Sequence, residues 1–228
     1  MQTQIIQLKQ VDKKYVVGGS IVRALSGVDL EINKGDFVAI VGPSGSGKST
    51  MMHMVGALDI PTNGQVILNG IDITTLSESD LAYLRGKKIG FVFQTFHLIP
   101  TLTALENVAL PMIFQSVSRE ERLRKSEEML IKVGLGDRIN HLPNELSGGQ
   151  GQRTAIARAL INDPEVILAD EPTGNLDSKT GRGIIELFIK LNNEGRTVII
   201  VTHDYNVASH AKRIVTMVDG SIEKNGKI

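Results

Sequence analysis

The nine residues Gly42-Pro43-Ser44-Gly45-Ser46-Gly47-Lys48-Ser49-Thr50 constrain this chain more than any other segment. They contain the pattern G-x-x-x-x-G-K-[ST] in full. The apolar run Phe37–Val41 precedes them, and a helix-like stretch, Ser49–Leu58, follows. Strand, glycine-rich turn and helix in that order let the backbone curl around a phosphate chain with its N–H groups turned inward. The helix N-terminus adds further N–H groups and its dipole. In such a cradle Lys48 is expected to reach the β- and γ-phosphates of a nucleotide, and the Ser49 hydroxyl to serve as a Mg²⁺ ligand.

Further short runs rich in Val and Ile recur at Val66–Leu68, Ile89–Phe93, Val166–Ala169, Thr197–Val201 and Ile214–Val218. Several are apolar throughout, as strands covered on both faces are. Helical patterns lie between some of them. In Ser178–Asn192, for instance, Ile184, Ile185, Leu187, Phe188 and Leu191 form a stripe. The expected fold is α/β: a P-loop NTPase core with a mainly parallel sheet. Residues up to Gly35 are expected to form an N-terminal antiparallel β subdomain with Val66–Leu68, with Asn63-Gly64 and Asn69-Gly70 as turn signals. Residues 95–163 show helix-like patterning at Ala104–Phe114, Ser118–Val133 and Ser147–Asn162 without a convincing strand. They are assigned to a helical subdomain inserted into a core made of residues 1–94 and 164–228, the whole being a single domain.

Length and composition set outer bounds. The 228 residues suffice for one large α/β domain, and 25 basic residues balance 25 acidic ones. This balance gives no reason to expect a nucleic-acid partner. Cysteine is absent, which excludes a disulfide framework and a thiolate metal site. The N-terminal residues lack the apolar core of a signal peptide. The apolar runs are far shorter than the roughly 20 residues of a spanning helix. A soluble chain is expected, with any membrane role requiring a separate protein.

Two more segments carry chemistry. The apolar strand Val166–Ala169 ends in Asp170-Glu171. In a parallel sheet such strand ends face the ligand crevice. Asp170 is therefore a candidate Mg²⁺ holder, and Glu171 a candidate base or orienting group for an attacking water. Taken alone, the pair also fits a solvated strand end. Leu146-Ser147-Gly148-Gly149-Gln150 opens the helix Ser147–Asn162 with a good N-cap and an uncluttered N-terminus. Alone, that is also an ordinary helix start.

The order of the three segments resembles the ATPase of an ABC transporter over essentially the whole chain, Tyr15 to Gly220. That resemblance implies ATP and Mg²⁺ as cofactors and a head-to-tail homodimer with two ATP molecules sandwiched between the chains. Ser147, Gly149 and Gln150 of one chain would then serve the nucleotide held by the other. It also implies that Tyr15 stacks on adenine and that Gln94 touches Mg²⁺ and the attacking water. His203 would act as a switch at the γ-phosphate, and Asp177 would lie in the loop crossing the dimer interface. Where the family usually carries Gln or Glu, this chain has Gly151, which is expected to loosen the signature helix by about 1 kcal/mol relative to alanine.

Leu168-Ala169-Asp170-Glu171-Pro172-Thr173-Gly174-Asn175-Leu176-Asp177 and the neighbouring wording resemble the branch with macrolide exporters, the lipoprotein-release ATPase and the cell-division ATPase. An integral membrane permease is the implied partner, with the chain peripheral on the cytoplasmic face. The stretch Phe96–Ala104 is either a docking surface for that partner or the packed start of the helical insertion. A soluble ABC ATPase acting on ribosomes or DNA is the alternative function. The present chain has one cassette and no long heptad run, against that class's usual two cassettes or coiled-coil insertion.

Overall fold

The computed structural model describes residues 3–227. In chain order its strands and helices are β1 (Gln4–Val17), β2 (Ser20–Asn33), β3 (Phe37–Val41), α1 (Lys48–Val55), β4 (Asn63–Leu68), β5 (Ile71–Asp72), α2 (Glu78–Lys88), β6 (Ile89–Val92), α3 (Ala104–Ile113), α4 (Arg119–Lys132), α5 (Gly148–Leu160), β7 (Val166–Asp170), α6 (Ser178–Asn193), β8 (Thr197–Val201), α7 (Tyr205–Ala208), β9 (Arg213–Val218) and β10 (Ser221–Lys227). The chain divides into two compact units, Met1–Arg85 with Asn192–Ile228, and Gly86–Leu191.

The first unit holds the antiparallel sheet β2-β1-β4-β5 expected for the N-terminal region. It also holds β3, which pairs in parallel with both β8 and β9, while β10 returns antiparallel to β9. Every residue of β3 and β8 is buried. This accounts for their unbroken apolar sequence, since burial of each Val or Ile side chain contributes about 1.5–3 kcal/mol.

Asn69-Gly70 makes the tight turn between β4 and β5, both residues having positive φ. Asn63-Gly64 is not a turn. These residues begin β4, where the pairing with β1 shifts register between Lys9 and Asp12. A Cβ at Gly64 would lie 2.2 Å from the Gln10 carbonyl oxygen, so glycine is needed for backbone approach at a bulge. Helix α1 stops at Val55, short of Leu58. Gly56 caps it, and Ala57 turns into the left-handed region.

In the second unit, β6 and β7 pair in parallel, and no strand interrupts 95–163. Helices α3, α4 and α5 share a core built from Val108, Met112, Leu130, Val133, Leu135 and Ala157, among others. Their starts are set by side-chain caps: Thr103 for α3, Ser118 for α4 and Ser147 for α5. The segment entering α3 is tied to that helix by hydrogen bonds. Fully buried Asn107 accepts from the Ile99 N–H, and its amide donates to the carbonyls of Ile99, Leu102 and Thr103. Among the described residues no helix is long and apolar enough to cross a membrane.

Candidate functional site

In the first unit the predicted phosphate-binding residues lie where β3 runs out into α1. Two glycines there are dictated by space as well as by conformation. A Cβ on Gly42 would fall 2.3 Å from the Met217 carbonyl oxygen, and one on Gly47 2.5 Å from that of Ala24. Gly47 also holds a φ of 95° as it enters the helix. The turn is tied down by Ser46 N–H donating to Pro43 O and by Gly220 N–H donating to Ser46 O. Pro43, Ser44 and Gly45 stay exposed at the rim, and Ser49 faces solvent in the first turn of α1 beside half-buried Thr50. The Lys48 ammonium donates to the carbonyls of Gly42 and Pro43 at 2.8 Å each, curled over its own loop. The buried Ser46 hydroxyl has no hydrogen-bond partner among the described residues.

Two other predicted residues belong to the same unit. Ile40 of β3 is in register with Val201 of β8, and His203 follows two residues beyond, exposed at that carboxyl edge. Tyr15 lies near the end of β1, its hydroxyl donating to Asp59 at 3.1 Å. Burial pushes the Tyr15 phenol above its ordinary value, reinforced by the Asp59 carboxylate, while the Thr50 hydroxyl acts the other way.

In the second unit Val92 of β6 pairs with Ala169 of β7, so Gln94 and the Asp170-Glu171 pair emerge at one strand edge. Glu171 sits at φ 43°, a left-handed conformation unusual for a non-glycine residue and of the kind found at functional turns. The loops around these residues are knotted together. The Gln94 amide donates to Asn175 Oδ1 at 3.3 Å, and the Asn175 amide donates to Gln94 O at 3.0 Å. Gln152, fully buried in α5, donates to Pro172 O at 2.7 Å and reaches Phe93 O at 3.4 Å.

The predicted signature residues open α5. Ser147 accepts from the Gln150 N–H while Gln150 accepts from the Ser147 N–H, a reciprocal capping box. Gly149 is buried, and a Cβ there would lie 2.3 Å from the Thr180 methyl. Asp177 caps the start of α6 by accepting from the N–H groups of Lys179 and Thr180. Hydrogen bonds from Thr180, side chain and backbone, hold its carboxyl below the usual aspartate range.

Gly151 lies inside a regular α5, its N–H donating to Ser147 O at 2.8 Å. Its missing side chain makes room for Phe96, whose ring would be 2.8 Å from a Cβ at that position. Arg158, further along α5, donates to the carbonyls of Phe96 and His97, and burial pulls its guanidinium below the ordinary value.

Sequence reasoning passed over Gln152, Asn175, Arg158, Lys13 and Asp59. The first two lie inside or beside quoted motifs, so their amide side chains were visible there. The others act through tertiary contacts that no local pattern encodes.

A parallel-stranded α/β core with the full G-x-x-x-x-G-K-[ST] turn at a strand's carboxyl edge has the architecture of a P-loop nucleotide-binding protein. The chain belongs to the ABC transporter family, whose model matches residues 25–174, and is one of its ATP-binding subunits. It is 53% identical over 220 residues to an ABC transporter ATP-binding protein of Thermotoga maritima, covering 96% of this chain and 94% of that one. The macrolide export ATP-binding/permease protein MacB of Wolinella succinogenes is 49% identical over 222 residues. There the match spans 97% of this chain but only 34% of the relative. A solved dimeric structure of the cassette MJ0796 of Methanocaldococcus jannaschii, in a post-hydrolysis state bound to ADP and Pi, superimposes with a TM-score of 0.90. Its identity is 52%, with 98% of each chain covered.

Proposed function

We propose that this ATPase subunit holds Mg·ATP on Gly42–Thr50 and works as a head-to-tail homodimer in which each chain completes the other's site. The observation that carries this reading is the phosphate cradle between β3 and α1, with its two space-dictated glycines. The Lys48 ammonium, held by two carbonyls of its own loop, transfers to the β- and γ-phosphates when nucleotide enters. The Ser46 hydroxyl, buried without a partner, is a ready donor to a phosphate oxygen. Tyr15 stacks on the adenine.

Ser49, Gln94 and Asp170 supply hydroxyl, amide and carboxylate oxygens, the hard donors that Mg²⁺ takes alongside nucleotide phosphates. Bound Mg²⁺ neutralises phosphate charge. Glu171 accepts a proton from the attacking water, or orients it, and His203 contacts the γ-phosphate. Ser147, Gly149 and Gln150 meet the γ-phosphate held by the second chain, with Asp177 at the interface. ATP thus serves as part of the dimer contact.

The relationship to MacB, whose name joins an ATP-binding part to a permease, supports a membrane permease as the partner of this chain. With such a partner the subunit would sit peripherally on the cytoplasmic side of the membrane. Residues 95–163 would act as the helical subdomain, and Phe96–Ala104 as the surface offered to the permease. The test is phosphate release from ATP by the purified chain with and without Mg²⁺. Mg²⁺-dependent release that Glu171→Gln abolishes supports the assignment. Equal release from the variant contradicts it.

A further inference from the structure

We infer that Asp59 and Lys13 are positioning residues that fix the Tyr15 ring, as an adenine platform, to the turn that ends the helix carrying the phosphate cradle. The inference rests on the reading of Tyr15 as the stacking residue. Asp59 lies in the turn that leaves α1, where the N–H groups of Leu58 and Asp59 both donate to His53 O. Its carboxylate accepts from three donors. Lys13 Nζ reaches Oδ1 at 2.7 Å, the Ile60 N–H reaches Oδ1 at 2.8 Å, and Tyr15 Oη reaches Oδ2 at 3.1 Å. Lys13 is nearly buried and also donates to Ile60 O at 2.8 Å, so its ammonium cannot wander. Burial alone would raise the Asp59 carboxyl, but the hydrogen bonds from Lys13, Ile60 and Tyr15 outweigh it and hold the group ionised.

The consequence for Tyr15 is twofold. Its hydroxyl is anchored to Asp59, eleven residues beyond Lys48 in sequence, so the ring is tied to the cradle through α1 and the turn that follows it. Lys13 Nζ also stands 5.0 Å from the ring centroid, which commits one side of the ring to the cation and leaves the other to a base. A tyrosine near a strand end would otherwise have to surrender rotamer freedom each time a base bound. Pre-ordering removes that cost, which amounts to about three- to tenfold in affinity for one rotamer-rich side chain.

The experiment measures displacement of a fluorescent ADP analogue by Mg·ATP and by Mg·tripolyphosphate, which occupies the cradle but has no base. Wild type, Asp59→Asn, Tyr15→Phe, Tyr15→Ala and the Tyr15→Ala/Asp59→Asn double variant are compared, with circular dichroism confirming the fold. Asp59→Asn and Tyr15→Phe should each weaken ATP by about three- to tenfold while tripolyphosphate stays within about twofold of wild type. Asp59→Asn should add nothing in the Tyr15→Ala background. Equal weakening of both ligands, or a full Asp59 effect without Tyr15, overturns the positioning role. If Tyr15→Ala leaves the preference for ATP over tripolyphosphate intact, the stacking reading itself fails, and the positioning role with it.

Discussion

The Phe96 ring lies on the bare backbone of Gly151, close enough that a Cβ there would stand 2.8 Å from a ring carbon. The glycine and the aromatic are therefore complementary: one supplies the hollow and the other fills it. Gly148, one turn earlier on the same helix, also approaches the ring, at 4.0 Å from Cζ to its would-be Cβ. The segment just beyond Gln94 is held on α5 by this contact and by the two hydrogen bonds from Arg158.

Gly151→Ala should therefore lower stability by about 1 kcal/mol, because overpacking of roughly 1–3 kcal/mol exceeds the gain in helix propensity. In a Phe96→Ala background the same change should raise stability by up to about 1 kcal/mol. Urea unfolding of the four chains measures both. Stabilisation of equal size in both backgrounds would remove the steric role assigned to Phe96.

Lys48→Ala should weaken ATP binding by about tenfold or more, since charged hydrogen bonds to phosphate are lost. Fold stability should change little, because the contacts given up are to two rim carbonyls of the loop. Titration with a fluorescent nucleotide, paired with thermal unfolding, separates the two effects. Unchanged affinity would contradict the cradle assignment.

The outline of the fold was legible because burial wrote it into the sequence. The unbroken apolar runs of β3 and β8 are the strands in which every residue is buried. Ser147 marked a helix start through its capping chemistry, whereas the caps Thr103 and Ser118 were shown only by the structure. Helix α2 escaped notice because it is strongly polar and buries only Leu84 among its eleven residues. Asn63-Gly64 misled because the same dipeptide serves turns and bulges, and only the partner strand decides between them. At the site, the motifs gave candidate residues in two blocks. The side chains that brace them, such as Gln152 under Pro172 and Arg158 under Phe96, depend on contacts distant in sequence. The contact between Gly151 and Phe96 escaped notice for the same reason: the two residues are far apart in the chain.

Asp177→Ala should lower the melting temperature at neutral pH, because the start of α6 loses an acceptor for two N–H groups, whereas Asp177→Asn should come closer to wild type. The Asp177 carboxyl is depressed in the folded chain. Its contribution is therefore complete above the ordinary aspartate value of 3.8 and is lost as pH falls through the lower folded value. Thermal unfolding of wild type and Asp177→Asn from neutral to acid pH should show the difference between them shrinking below that point. A gap that widens on acidification would reverse the sign.

Glu171→Gln should bind ATP while hydrolysing it about 10²–10⁴-fold more slowly, as expected on removing a group that handles the attacking water. With hydrolysis blocked, ATP should hold two chains together, and light scattering should register a dimer only when ATP is present. A monomer at saturating ATP would argue against nucleotide acting as part of the interface.

If Ser147 of one chain serves the nucleotide held on Lys48 of another, two crippled variants should complement each other when mixed. Lys48→Ala removes one half-site. Ser147→Arg, at an exposed position, blocks the other. Each variant alone should show little ATPase activity. Mixing them pairs the intact cradle of one chain with the intact signature of the other, so the mixture should recover activity that neither variant has. If the mixture stays as inactive as its components while both variants remain folded and able to associate, the signature does not act across chains, and the head-to-tail account is contradicted.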